Sequence, residues 1–108
     1  MPIEDAASDE VVLIENTFTE YDIFFFGGSL NGDAEIRLYN EINLQVGVVR
    51  FLNNISRLPN DVYENNIIFL HTNIRTLDAI IHKLENSSQK IIHFDSTIPV
   101  ATLKFAKN

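Results

Sequence analysis

The chain has no cysteine. That excludes disulfides, thiolate catalysis and zinc–sulfur sites together. It also lacks an apolar run approaching the roughly 20 residues needed to cross a bilayer. The densest block, Ile23-Phe24-Phe25-Phe26, is far too short. No G-x-S-x-G elbow, P-loop or H-E-x-x-H motif is present, so the strong signatures of hydrolase, nucleotide and zinc chemistry are missing. Basic residues are scarce at one end. Residues 1–41 hold ten acids and one base, Arg37, for a formal charge of −9, whereas residues 42–108 carry +2 and the whole chain −7. Such a split argues against binding nucleic acid or an anionic membrane through the N-terminal part and favours a basic partner.

What is present suits a folded core. The chain has 108 residues, 45% of them hydrophobic and 10% aromatic, enough for one domain. Residues 1–10 are acidic, small and without a base, and read as a flexible acidic N-terminus, with residues 11–108 forming a single α/β domain. Met1-Pro2-Ile3-Glu4-Asp5 offers neither a basic flank nor an apolar signal core. The expected location is therefore cytoplasmic or virion-associated, without secretion by a standard signal. Asn54 and Asn86 begin glycosylation triplets that, without export, read as chance.

Val11-Val12-Leu13-Ile14 suits a short strand, and Tyr21–Phe26 a strand buried on both faces and ended by Gly27-Gly28. Residues 33–57 admit two readings. Leu38, Ile42, Val46, Val49, Leu52 and Ile55 recur at helical spacing, with Asp33 and Glu35 early and Arg50 and Arg57 late, as the helix dipole favours. Ile36, Leu38, Ile42, Leu44, Val46 and Val48 also alternate as in strands, with a break at Asn40, and Asn31-Gly32 suits a hairpin turn. The helical count is slightly better. Ile67–Leu70 then reads as a second buried strand. Leu77, Ile80, Ile81 and Leu84 mark a helix capped by Asn73 or Thr76, and Ile91–Phe94 a third strand. Val100–Phe105 is a terminal strand or short helix. The order predicts an α/β fold, a small single domain with a mostly parallel sheet of 3–5 strands and two main helices. The alternative is α+β with an N-terminal β-hairpin.

In a parallel sheet, ligands gather at the carboxyl ends of the strands. Those ends are Gly27-Gly28-Ser29, His71-Thr72-Asn73 and Asp95-Ser96-Thr97. His71 as base, Ser29 or Ser96 as nucleophile and Asp95 as orienter would divide the labour of acyl transfer. The same residue types also cap helices and build turns, the more frequent use. His71, His82 and His93 share no metal-ligand spacing, so no metal site is assigned. His82 suits an i,i+4 pair with Asp78, and His93 a hydrogen-bonded place in the core. No cofactor is expected.

Asp22-Ile23-Phe24-Phe25-Phe26-Gly27-Gly28-Ser29-Leu30-Asn31, a helical segment and Ile67-Ile68-Phe69-Leu70 resemble the opening of the Clp-protease/crotonase superfamily. The following helix, Ile91–Phe94 and Asp95-Ser96-Thr97 echo its later order, and the resemblance implies a serine role for Ser96. Where those proteases carry an oxyanion-hole glycine pair, this chain has His71-Thr72-Asn73-Ile74-Arg75. Roughly 3–4 kcal/mol of transition-state stabilisation would be missing without such donors. The region expected to supply the catalytic histidine lies beyond the chain. The resemblance therefore implies an inactive or much reduced member.

These readings converge on a small, acidic, non-enzymatic protein-binding module: an inhibitor, immunity factor or assembly subunit. Glu15, Glu20 and Asp22 are its expected partner-binding residues, facing another protein's basic surface, with no nucleic acid and no membrane. One alternative is a hydrolase-like or degenerate domain using His71, Asp95 and Ser96. The other is a homo-oligomeric structural subunit whose phenylalanine-rich or C-terminal strand completes a neighbour's sheet.

Overall fold

Strand alternation, not helical spacing, governs the middle of this chain. The computed structural model describes residues 11–26, 34–53 and 58–107. Its strands are β1 (Leu13–Thr17), β2 (Glu20–Phe25), β3 (Ala34–Tyr39), β4 (Gln45–Leu52), β5 (Val62–Glu64) and β6 (Ile67–Asn73), followed by β7 (Gln89–Asp95) and β8 (Val100–Ala106). A 3₁₀ turn, Ile74–Thr76, leads from β6 into the helix α1 (Leu77–Asn86). Five strands form one sheet in the order β2-β3-β4-β6-β5, and three form another in the order β1-β7-β8. Among these pairings only β4–β6 is parallel.

The expected mostly parallel α/β domain with two main helices is thus corrected: the described residues form two antiparallel or mixed sheets with one short helix. The decisive segment is 33–57. A helical stripe would bury Leu38 and Ile42 together, yet Leu38 is fully buried while Ile42 is 70% exposed. Ile36 and Leu38 on β3 instead face the same way as Val49 and Phe51 on β4, all fully buried. The chain reverses between them at Asn40–Leu44, where Asn43 takes a left-handed conformation (φ 67) that no helix contains. The hairpin pairing weighed as the second option does occur between β2 and β3. Residues 1–10, Gly27-Gly28-Ser29, Asn31-Gly32, Asp33, Asn54, Ile55 and Arg57 lie outside the described residues.

Tyr21–Phe26 is corrected as well. β2 is an edge strand, and its Glu20 and Asp22 are exposed on the face turned away from the core. A short strand was missed at Val62–Glu64. Its signal is Asn65-Asn66, both at positive φ (53 and 67), which closes a two-residue hairpin with Glu64 opposite Ile67.

The core lies between the two sheets. Ile36, Leu38, Val49, Phe51 and Ile68 from the larger sheet meet Ile92 and Phe94 of the smaller, with Leu77 and Leu84 of α1 completing the cluster. Each fully buried large side chain contributes about 1.5–3 kcal/mol. The sheets approach closely at Gly47, where an added Cβ would stand 2.9 Å from Ile92 Cδ1 and 3.1 Å from Leu38 Cδ1. The chain passes from one sheet to the other at Phe18-Thr19. The Phe18 N–H donates to Lys90 of β7 (3.0 Å) and the Thr19 N–H to Tyr39 of β3 (2.9 Å), with the Phe18 ring buried between. Of the two expected caps, Asn73 Oδ1 accepts from the Arg75 N–H at 2.8 Å and so caps the 3₁₀ turn, while Thr76 stands at the N-cap of α1 without a side-chain capping bond. His82 departs from expectation. Its ring Nδ1 lies 3.3 Å from Asn86 Nδ2, not in a bond with Asp78.

One carboxylate ties the sheets at their corner. Asp61 Oδ1 accepts from the His71 N–H of β6 at 2.7 Å, and Oδ2 accepts from the Ala101 N–H of β8 at 2.8 Å. Replacing Asp61 by alanine strands two part-buried donors and should destabilise the fold by about 3 kcal/mol in denaturant melts. Asp61→Asn, which keeps one acceptor oxygen, should cost roughly half of that. Equal stability of all three proteins would remove this assignment.

Candidate functional site

The β3–β4 turn is closed by hydrogen bonds and presents apolar side chains to solvent. Asn40 Oδ1 accepts from the Ile42 N–H (3.1 Å) and the Leu44 N–H (2.9 Å), an Asx-type arrangement. The Asn40 N–H donates to Leu44 O, and the Asn43 N–H to Asn40 O, both at 2.9 Å. Held by these four bonds, Ile42 is 70% and Leu44 58% exposed. Acids surround them. Glu41 belongs to the turn, and Glu15 lines the opposite wall of a cleft of about 270 Å³ between β1 and the turn. Glu20 stands opposite Tyr39, beside the turn's first residue. Glu15 and Glu41 thus line one cleft with Ile42, and Glu20 stands next to the base of the turn.

The outward face of the larger sheet balances its charges differently. Across the strands run two rows, Asp22–Arg37–Val48–Phe69–Val62 and Phe24–Glu35–Arg50–His71. Glu35 binds Arg37 Nε at 2.6 Å and Arg50 Nε at 3.4 Å. The guanidinium groups lie over Phe24 (4.2 Å) and Phe69 (4.9 Å), a cation–π arrangement. Their stems flank Val48, which is only 2% exposed although it points away from the core. The hydrogen bond to Glu35 holds the Arg37 guanidinium above its already high value.

Of the strand-end candidates, His71, Asp95 and Ser96 are not gathered along one edge. His71 sits within β6 of the larger sheet, Asp95 ends β7 of the smaller, and Ser96 follows in the β7–β8 turn. No hydrogen bond joins these three to one another among the described residues. The His71 side chain is 8% exposed, its Nδ1 lying 3.5 Å from Asp61 Oδ1 without a hydrogen bond. Ser96 clamps the start of β1: its N–H donates to Val12 O (3.0 Å), and its Oγ accepts from the Val12 N–H (2.8 Å). It also lines an open groove of about 420 Å³ with Val12, Asp61, Tyr63, Phe94 and Pro99. Asp95 Oδ1 accepts from the Thr97 hydroxyl (2.5 Å) and the Thr97 N–H (2.9 Å), which builds the turn. His93 lies on the outward face of the smaller sheet, opposite Glu15 and Thr102, not in the core. No group of three or more metal-ligating side chains converges among the described residues.

The three acids assigned to partner binding divide between the sheets. Glu15, on β1, is bonded to Lys104 of β8 at 3.2 Å, with both side chains about half exposed. Glu20 and Asp22 lie on β2, and Asp22 faces Arg37. Sequence reasoning missed Glu41, Ile42 and Leu44, whose only signal was the break in alternation at Asn40. It also missed Asp61, an acid in a polar stretch with nothing to mark it. No protein-family model matches this chain, and comparison with curated proteins and with solved structures returns no match. No helix among the described residues is long and apolar enough to cross a membrane.

The Asp95 turn has a checkable titration. The Thr97 hydroxyl, then the Thr97 N–H, hold the Asp95 carboxyl below the usual carboxylate range. A depressed folded-state value means that the contribution to stability is present above the unfolded pKa, about 3.9. It is lost as pH falls through the folded value. Thr97→Val removes the larger cause, so the Asp95 carboxyl resonance should titrate at higher pH by NMR than in the unsubstituted protein. An unchanged midpoint would show that the hydroxyl bond does not act on it.

Proposed function

We propose that this protein is a non-enzymatic protein-binding module, an inhibitor, immunity factor or assembly subunit, that docks its β3–β4 turn on a basic partner surface. The observation that carries this reading is the exposure of Ile42 and Leu44 on a turn fixed by four hydrogen bonds and rimmed by Glu15, Glu20 and Glu41. A flexible loop would lose ordering entropy on binding. A turn already held in one geometry avoids that cost. Aliphatic side chains at the centre of a contact supply desolvation energy, and the acids around them steer a basic surface into register. The partner fitting this end is a protein with a small apolar pocket ringed by lysine or arginine.

Partner capture with immobilised protein, followed by calorimetric affinities for the identified partner over a range of salt, tests the reading. Ile42→Ser should weaken binding about tenfold or more. Glu20→Lys and Glu41→Lys should slow association and flatten its salt dependence. Affinity indifferent to salt and to all three substitutions would overturn the proposal.

A further inference from the structure

A second surface, at the edge of the larger sheet, fits a copy of this chain. β2 ends the five-stranded sheet, and among the described residues no strand pairs with its open side. Open edges are templates for pairing, and folded proteins blunt them with charged side chains (lysine above all), proline, bulges or shortness; the charges on β2 are the two acids Glu20 and Asp22. Residues 20–26 contain neither lysine nor proline, and β2 pairs with β3 in unbroken register. The other edges are managed. β5 has three residues, β8 gives its Ala101 N–H to Asp61, and β1 faces the β3–β4 turn across the cleft. Among the described residues only β2 combines an open edge with a large exposed aromatic, Phe25, at 69%.

We infer that β2 pairs antiparallel with β2 of a second copy about a two-fold axis at Ile23, joining the two larger sheets into one. The register follows from the residues. Both core faces must lie on the same side of a continuous sheet, which requires outward residues to oppose outward residues. Centring on Asp22 sets that carboxylate against itself, and centring on Tyr21 sets Glu20 against Asp22; like charges directly opposed are destabilising. Centring on Ile23 avoids both clashes and uses all of residues 20–26. Glu20 then opposes Phe26, Asp22 opposes Phe24, Tyr21 opposes Phe25, and Ile23 opposes itself. The Phe24 ring that Asp22 meets is the one covered by Arg37 at 4.2 Å, so the acid of each copy reaches the arginine of the other. The exposed Phe25 gains Tyr21 of the second copy as a cross-strand aromatic neighbour. This contact is isologous, with each side supplying the same strand.

The absence of cysteine makes the register directly readable. Directly opposed residues place their Cα atoms about 4.5–5.5 Å apart, within disulfide reach. Under mild oxidation, Ile23→Cys should form a covalent homodimer. Tyr21→Cys and Phe25→Cys should cross-link when mixed, and neither should do so alone. Light scattering should give a dimer for the unsubstituted protein. Phe25→Asp, at a site open enough to leave folding intact by circular dichroism, should raise the dimer dissociation constant about tenfold or more. A monomer across the concentration range would overturn the inference. So would cross-linking of Ile23→Cys no faster than that of Thr102→Cys on β8. Glu20 belongs to both surfaces, but Ile23 and Phe25 lie outside the β3–β4 turn, so the dimer and the partner contact made by Ile42 are read out separately.

Discussion

The two sheets depend on a carboxylate that belongs to neither. Asp61 precedes β5, and its oxygens take one backbone N–H from each sheet, at His71 and Ala101. Each donor lies where a strand has lost its regular neighbour. β5 ends opposite Phe69, leaving the next part of β6 without a ladder partner on that side, and β8 is the last strand of its sheet. A buried N–H left unpaired is costly, so a single acceptor serving both also fixes how the sheets meet at this corner. At the other end Phe18 and Thr19 make a comparable join with backbone bonds alone. Between the two joins, Gly47 lets Ile92 approach β4 closely. Two hydrogen-bonded corners and one close apolar contact between them define the packing.

This arrangement explains what could be read from the residues and what could not. The β6, α1 and β7 segments were legible because a continuous apolar run, a three-and-four spacing and another run follow in turn. Their observed forms are the central strand Ile67–Asn73, the helix Leu77–Asn86 and the middle strand Gln89–Asp95. Residues 33–57 were misread because Leu38, Ile42, Val46 and Val49 satisfy a helical count by coincidence. The break at Asn40 was the real signal, since asparagine can fold its side chain onto the following backbone N–H groups. Sheet membership was not legible at all. β1 and β2 are separated by two residues yet belong to different sheets, a partition set by the burial of Phe18 and not by any local propensity.

The same reasoning accounts for the candidate sites. A strand-end cluster presupposes parallel strands in one sheet, and β6 and β7 are in different sheets, with β7 antiparallel to both its neighbours. Asp95 and Ser96 have clear structural occupations there, shaping the turn and holding Val12. The acidic excess was legible as composition, but its distribution was not. Glu35 is largely consumed by Arg37 and Arg50, and Glu15 is shared with Lys104, whereas Glu41 stands beside exposed aliphatic residues. Counting acids therefore overstates the charge that faces a partner.

Charge and edge geometry act together on this molecule. The outward face of the larger sheet uses its arginines internally, over phenylalanine rings and against Glu35, so the rows across β3 and β4 are close to self-satisfied. That balance fails at β2, where the sheet stops. Asp22 lies beside Arg37, but Arg37 is already committed to Glu35 at 2.6 Å and to Phe24. An acid at a sheet edge, next to a cation whose strongest bond goes elsewhere, leaves the end of a charge pattern that one further strand could continue. The turn at Asn40–Leu44 differs, because its Asn40, Ile42, Asn43 and Leu44 N–H groups are already bonded within the turn and it presents Ile42 and Leu44 to solvent. An edge offers main-chain bonds and therefore selects an extended strand. A closed turn offers side chains alone and selects a pocket. The two surfaces suit partners of different shape, and they meet at one residue, Glu20, which begins β2 and stands beside the turn.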